Sequence, residues 1–304
     1  MPDDPVEERP VDPVVFDLGD TTDVTELLRR CAFPPEGTAV ACAVSGGADS
    51  VALLILAVSA RCDVTAVHVD HGLRPGSSSE ATMVREIAQR FGARFQSTQV
   101  KVEPGPNLEA RAREARRAAL PPDVLTGHTA DDQAETVLLN LLRGSGSDGL
   151  AGMRADGHPI LSLRRADTEA LCAAFGVTPF TDPSNTDPRF RRNRVRHELR
   201  PLLDAIAERD TTPLITRTAD LLRADGDLLD ELARSLDPTD ARALASAPGP
   251  LASRAVRRWL ADPYPPDAEA VERVLSVARG EAIACEITGG RRVARTANRL
   301  RITS

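Results

Sequence analysis

Aromatic side chains are scarce in this chain of 304 residues: one Trp, one Tyr and seven Phe make up 3% of it. Its core must therefore be built from Ala, Val and Leu, which a hydrophobic fraction of 41% permits. Lysine is nearly missing too, because almost all of the 38 basic residues are Arg. With the abundance of Ala and Pro, that reads as genomic base composition rather than function. The five cysteines (Cys31, Cys42, Cys62, Cys172, Cys285) are odd in number and form no C-x-x-C pair. This argues against a zinc or iron–sulfur site and fits reduced, mostly buried thiols of a cytoplasmic protein. The longest apolar run, residues 51–58, is too short to span a bilayer. No basic segment leads into an apolar one near the N-terminus, so neither a membrane anchor nor a signal peptide is expected. Positive charge is in deficit, the net charge being −7. That excludes a non-specific DNA binder and leaves any RNA contact to a local basic surface.

The stretch around which the rest is arranged is Val44-Ser45-Gly46-Gly47-Ala48-Asp49-Ser50. Residues 38–44 read as a buried strand and residues 51–56 as the start of a buried helix. Two glycines between them allow positive φ and a close approach of backbone to ligand. The loop N–H groups and the helix N-terminus then form an anion site. The spacing of a Walker loop is absent, as is the third glycine of a dinucleotide fingerprint. A bare Gly-Gly pair would read as a simple turn. Ser45, Asp49 and Ser50, in a strand–loop–helix setting, favour a phosphate site.

The alternation continues. Residues 63–69 predict a second strand, 79–91 an amphipathic helix closed by Gly92, and 94–102 a third strand. Asn107 caps a helix to about residue 120; residues 124–127 form a fourth strand, and a helix opens at Thr129 or Ala130. This pattern predicts an α/β fold, a doubly wound parallel sheet covered by helices on both faces. Ligands in such sheets lie beyond the carboxyl ends of the strands. The segments at Ser45, at His68 to His71 and at His128 to Asp132 each follow a strand, so they should converge on one crevice.

Elsewhere, residues 1–20 are acidic and Pro-rich and read as a disordered tail. The Gly/Ser-rich residues 144–149 read as a mobile loop of the kind used as a lid. Residues 167–175 form a short helix, and Asp182-Pro183-Ser184-Asn185 a turn. Beyond Pro201 the chain is mostly helical, with clear spacing at 215–232 and 267–278. Residues 283–303 read as three short strands turned at Gly289-Gly290 and Asn298. We place a catalytic domain at 21–205 and a smaller, mostly helical C-terminal domain ending in short strands at 206–304, with the boundary near Pro201 to Pro213.

Several stretches together carry a resemblance. They are residues 45–50; Val67-His68-Val69-Asp70-His71-Gly72-Leu73-Arg74; residues 107–116; Thr126-Gly127-His128-Thr129-Ala130-Asp131-Asp132-Gln133-Ala134-Glu135-Thr136; residues 182–185; and Arg192-Asn193-Arg194-Val195-Arg196. In order and spacing, over most of residues 40–203, the chain resembles the tRNA(Ile)-lysidine synthetases, a family of PP-loop ATP pyrophosphatases. The resemblance implies a PP-loop ATPase-like fold and an ATP-dependent ligase. ATP would adenylate the C2 oxygen of the wobble cytidine in a CAU-anticodon tRNA(Ile) and release pyrophosphate. The ε-amine of free L-lysine would then attack C2 and release AMP. ATP and Mg²⁺ are the implied small-molecule partners, and the C-terminal domain is implied to bind tRNA. Homodimer and monomer are both left open.

The residues fit that chemistry. Attack on an α-phosphate builds charge on the departing phosphates, so positioning and electrostatics dominate. The ATP-binding set is Ser45, Gly46, Gly47, Ala48, Asp49, Ser50, His68 and His71. The catalytic set is Asp49, His128, Asp132 and Glu135, with Asp132 and Glu135 also holding the lysine amine. Asp49 among phosphates requires a metal or a donor from a ligand, and Asp49, Asp131 and Asp132 are the metal candidates. Asp132 and Glu135 share a helix face, although Thr129 to Asp132 also reads as a capping box. His128 alone would read as a loop residue satisfied by backbone, and His68 and His71 lack a third zinc ligand at suitable spacing. Arg74, Arg113, Arg116, Arg192, Asn193, Arg194 and Arg196 are the tRNA and phosphate candidates. The alternatives are a solvated basic helix face and, for Asn193, an N-cap.

The chain departs from the family pattern at Arg117, where Tyr is usual, and at His158-Pro159-Ile160-Leu161, where Arg-Pro-Leu-Leu is frequent. It also stops after the first helical domain, where longer members continue, so fewer tRNA contacts are expected. One rival is a cytidine thiolase, which uses C-x-x-C pairs and an iron–sulfur cluster. Others are an NAD or GMP synthetase-like amidation, which the motif at His128 to Thr136 fits poorly, and a non-catalytic ATP- or RNA-binding relative, which would lose Asp49, Asp132 and Glu135.

Overall fold

A computed structural model describes residues 24–70, 77–100, 111, 115, 117–180, 187–262 and 266–303. The readings of residues 1–20, His71, Arg74, Asn107, Arg113, Arg116 and residues 182–185 lie outside the described residues.

A short helix α1 (Val24–Arg29) precedes β1 (Ala39–Ala43), α2 (Ala48–Ser59), β2 (Asp63–Asp70), α3 (Ser77–Arg90), β3 (Arg94–Gln99), β4 (Leu125–Thr126) and α4 (Ala130–Leu142). The strands form one parallel sheet in the order β3-β2-β1-β4. Cys42 of β1 lies opposite Ala66 of β2 on one side and Leu125 of β4 on the other. Strand order therefore reverses at β1, so the crevice between β1 and β4 is the topological switch point, where ligands of open α/β sheets bind.

Sequence explains why β1 is central. Its five residues Ala-Val-Ala-Cys-Ala are small or branched, and α2 behind it is apolar all round, with residues 51–57 fully buried. A helix without a polar face must be enclosed. Against α2 packs α6 (Arg165–Ala174), through Leu171 and Cys172, with α5 (Ser147–Leu150) lying between α4 and α6 in the chain. A longer helical run follows as α7 (Arg191–Arg194), a π-helical segment Val195–Leu199, and α8 (Arg200–Ala207). The π segment ends beside Pro201, which has no N–H to continue an α ladder.

The chain divides into two compact units, Met1–Ser145 with Gly152–Arg217 and Gly146–Ala151 with Thr218–Ser304. The division falls at Arg217 and Thr218, inside α9 (Thr212–Ala233). Pro213 sits in the first turn of that helix, where a missing N–H costs nothing, so it starts an element instead of marking a linker. The second unit has its own core, formed by α10 (Ala241–Ser246), α11 (Gly249–Trp259), α12 (Ala268–Arg279) and the antiparallel strands β5 (Ala284–Ile287), β6 (Arg291–Thr296) and β7 (Arg299–Thr303). Asp240 and Asp267 cap α10 and α12 with their carboxylates. Residues 144–149, read as a mobile lid, are tied down in part: Asp148 pairs with Arg254 at 2.7 Å and Arg257 at 3.4 Å. Among the described residues, no helix is long and apolar enough to cross a membrane.

Candidate active site

The loop after β1 is shaped by its own small residues. Gly46 adopts φ +86°, a left-handed conformation that glycine takes without strain. The Ser45 N–H donates to Ser50 Oγ at 3.1 Å, and Ser50 Oγ donates to the Gly47 carbonyl at 2.8 Å. The Ser45 hydroxyl lies 3.2 Å from Ser50 Oγ, so both hydroxyls brace the turn. Gly47 differs. Its φ is −72°, and a Cβ added there would find its nearest protein atoms at 3.8 Å. Among the described residues nothing requires glycine at this position, whereas a ligand lying on the α2 N-terminus would. His68 is buried, with Nδ1 donating to the Val44 carbonyl at 2.8 Å; it supports the end of β1.

The loop after β4 is locked onto the same place. A Cβ on Gly127 would lie 2.5 Å from the carbonyl oxygen of Asp49 and 2.7 Å from its carbon. Only glycine lets this backbone touch the first turn of α2, and that contact brings Asp49 beside residues 128–135. Thr129 opens α4, its N–H and hydroxyl donating to Asp132 Oδ2 at 3.0 and 2.9 Å. The capping reading of Asp132 is thus correct for one oxygen. The other, Oδ1, accepts from Arg192 at 3.0 Å and Arg165 at 3.3 Å. Glu135, three residues on, is fully buried and held by Arg192 Nε at 2.8 Å and Arg196 Nε at 2.6 Å. Asp49 meets Arg165 Nε at 3.3 Å and the Thr168 hydroxyl. Asp131 is clasped by Arg164, by Arg200 at 2.9 Å and by the Arg165 N–H at 2.9 Å.

These surroundings separate the carboxylates. Burial pushes the Asp49 carboxyl up, against the pull of Thr168 and Arg165 and with the charge of Asp132 adding to it. Burial acts the same way on Asp131 and Asp132, but there the arginines win. Arg164, the Arg165 N–H and Arg200 bring Asp131 down to about 2. Arg165, Arg192, the Thr129 N–H and the neighbouring His128 hold Asp132 below the usual carboxylate range. Carboxylates pushed apart by one environment mark a functional site.

The structure thus brings together Asp49, Asp131, Asp132 and Glu135 with Arg192 and Arg196. Arg192 and Arg196 lie a helical turn apart and both face the acids. Arg194 points elsewhere, in an exposed pair with Glu198 at 2.9 Å. Asn193 does not cap α7, whose N-cap is Phe190; its amide donates to the Asp187 carbonyl at 2.9 Å. Sequence reasoning missed Arg164, Arg165, Thr168 and Arg200, as well as His158, whose ring meets that of His128 edge to face. A signal was present. Arg164 and Arg165 open a helix, the end where cations are disfavoured unless carboxylates stand nearby.

A family profile described as a PP-loop domain matches residues 20–203. A tRNA(Ile)-lysidine synthase from Nocardia farcinica (strain IFM 10152) is 44% identical over 273 residues, 82% of this chain and 85% of its own. One from Cutibacterium acnes (strain DSM 16379 / KPA171202) is 36% identical over 289 residues, 88% of this chain and 92% of its own. Among solved structures, the U34-tRNA thiolase NcsA from Methanococcus maripaludis with its 4Fe-4S cluster aligns with a TM-score of 0.52 at 16% identity. The match covers 66% of this chain and 78% of that one, and it is a likeness of fold alone.

Proposed function

The chain belongs to the PP-loop family of tRNA(Ile)-lysidine synthases, which are ATP-dependent ligases, and we propose that its site joins free L-lysine to C2 of the wobble cytidine of CAU-anticodon tRNA(Ile). The observation that carries this reading is the unexplained glycine at 47 on the α2 N-terminus, with Asp49 beside Asp132 and Glu135. ATP lies with its phosphates on that helix end. The cytidine C2 oxygen attacks the α-phosphorus, the bond to the β-phosphate oxygen breaks, and loop N–H groups take the charge that grows there. The lysine ammonium is neutralised by Asp132 and Glu135, passes a proton to the Glu135 carboxylate and attacks C2 as the free amine, and AMP departs with the former C2 oxygen. Arg165, Arg192 and Arg196, which neutralise the acids in the free protein, exchange carboxylate oxygens for phosphate oxygens.

A Mg²⁺ ion in such sites takes one or two carboxylates and completes its shell with phosphates and water. Asp49 fits that role, since burial makes its anion costly and each of its oxygens meets one side-chain donor. Asp132 is the second candidate, through Oδ1, which Arg165 and Arg192 free when they turn to phosphate oxygens. Asp131 does not fit, because both its oxygens are already shared by two donors, and we assign it to anchoring. When bound, the ion neutralises triphosphate charge. The enzyme works in the cytoplasm, where its tRNA is.

A cytidine thiolase is the rival. Among the described residues, no three His, Cys, Asp or Glu side chains gather as a ligand set, and burial pushes the Cys31, Cys42 and Cys172 thiols up to about 12. The two readings separate in one incubation of enzyme, ATP, lysine and tRNA transcript, followed by nucleoside mass analysis. A lysyl increment on cytidine, with AMP and pyrophosphate formed only when tRNA is present, is the expected result. An unmodified cytidine would refute the proposal even if ATP binds.

A further inference from the structure

Three arginines cover the acids of the site, and they do not hold them equally. Arg192 donates to Glu135 Oε2 at 2.8 Å and to Asp132 Oδ1 at 3.0 Å, and Arg196 donates to the two oxygens of Glu135 at 2.6 and 3.0 Å. Those are the lengths of charge-assisted bonds. Arg165 instead spreads its nitrogens over three carboxylates at longer range. Its Nε lies 3.3 Å from Asp49 Oδ2, Nη2 3.3 Å from Asp132 Oδ1, and Nη1 3.7 Å from Glu135 Oε1. The main chain of Arg165 is fixed all the same: its N–H donates to Asp131 at 2.9 Å, and its carbonyl accepts from the Thr168 hydroxyl at 2.8 Å. A loosely held guanidinium on an anchored backbone can turn while its helix stays in place. Of the three, Arg165 is the cation that leaves first.

We infer that Arg165 is a positioning residue that occupies the place of the substrate ammonium until ATP draws it away, so that free lysine binds only weakly before ATP. This rests on the reading that Asp132 and Glu135 hold the lysine amine. Charge sets the order. Asp49, Asp132 and Glu135 face Arg165, Arg192 and Arg196, three anionic charges against three cationic ones, which leaves nothing for a further cation. Lysine arriving alone must push Arg165 away from two buried carboxylates and gives the guanidinium no anion to go to. ATP supplies that anion. Asp49 lies in the first turn of α2, so Arg165 at its carboxylate already stands beside the helix end that suits phosphate. A guanidinium also matches phosphate oxygens with a two-pronged fork. Once Arg165 turns there, the acids carry one negative charge in excess, the complement of one ammonium. Each substrate thereby strengthens the binding of the other.

The test is calorimetry of L-lysine binding to the enzyme without tRNA, first alone and then with saturating α,β-methylene-ATP, which cannot be cleaved between its α and β phosphates. Lysine should bind at least about tenfold tighter with the analogue, and the analogue should gain the same factor from saturating lysine. Arg165→Gln removes the resident cation. Lysine should therefore bind this variant tighter than wild type when no nucleotide is present, and the coupling factor should fall toward one. An arginine that only braced the fold would lose lysine affinity in both states on substitution. Equal lysine affinity with and without the analogue in wild type, or weaker lysine binding to nucleotide-free Arg165→Gln, would overturn the inference and leave the ligase reading standing. Lysine that binds in neither state also overturns it, and the nucleoside incubation then judges the ligase reading by itself. Should Arg165→Gln not fold, Arg165→Met, neutral and of similar length, must show the same rise in nucleotide-free lysine affinity.

Discussion

Asp132 divides its carboxylate between two tasks: Oδ2 caps α4 through Thr129, while Oδ1 faces Arg165 and Arg192. Sequence alone offered these as competing explanations, and spacing could not choose because both need an acid at the third helical position. The tasks separate by mutation. Thr129→Ala should cost about 1 kcal/mol of stability and leave turnover measurable. Asp132→Asn keeps an oxygen for the cap and should abolish lysine transfer, with an unchanged far-UV spectrum. Melting of α4 in that variant would leave the cap as the residue's whole purpose. Asp131 makes a different claim, on stability. Its carboxyl sits at about 2 in the folded protein against an ordinary 3.8, so its ion pairs stabilise fully above that ordinary value and are lost as pH falls toward 2. The contribution is about 2 kcal/mol, from 1.36 kcal/mol per pKa unit. Denaturant titrations of wild type and Asp131→Asn should therefore differ at neutral pH and converge in acid. Parallel curves down to pH 2 would contradict it.

Elements whose signals are local were legible: α2, β2, α3 and the strands at the C-terminus lie within a few residues of their predicted places. Turn glycines and side-chain periodicity decide those, and both are written in adjacent residues. What could not be read was which loops touch. Arg165 reaches Asp49 across 116 positions and Arg192 reaches Glu135 across 57, and no window of sequence contains either pair. Gly127 is the clearest instance, since it looks like a strand end yet is required by the backbone of Asp49. Two glycine variants test how the elements meet. Gly127→Ala drives a Cβ into backbone that cannot yield cheaply, and should cost about 1–3 kcal/mol and reduce ATP binding with it. Gly47→Ala meets no atom of the described residues closer than 3.8 Å, so thermal stability should hold while the KM for ATP rises severalfold. Equal loss of stability in the two would show that residue 47 is glycine for the fold and not for phosphate.

For the whole molecule, the net charge of −7 and the polyanionic substrate pull against each other, so tRNA must meet arginine where acid is sparse. The basic run at 189–196 is where the sequence suggests that meeting, but Arg192 and Arg196 are engaged with buried acids and Arg194 with Glu198. The second unit offers another surface, on which Arg292 pairs across the sheet with the exposed Glu286 of β5. On its antiparallel sheet Val293 and Leu300 point into the core, and the alternating positions set Arg292 of β6 and Arg301 of β7 on the exposed face. They are diagonal neighbours, since Arg292 pairs with Thr303 and Arg301 with Ala294, a spacing within reach of long side chains. If the C-terminal domain binds tRNA there, Arg292→Ala with Arg301→Ala should weaken tRNA binding severalfold and leave the KM for ATP alone. The slope of log affinity against log salt should also fall by roughly one for each phosphate that the arginines no longer neutralise. That slope is the discriminating measurement. A fold perturbed by the double variant weakens binding at every salt concentration equally, whereas removing an arginine from a phosphate flattens the dependence. A slope matching wild type would return the search for the RNA surface to the first unit.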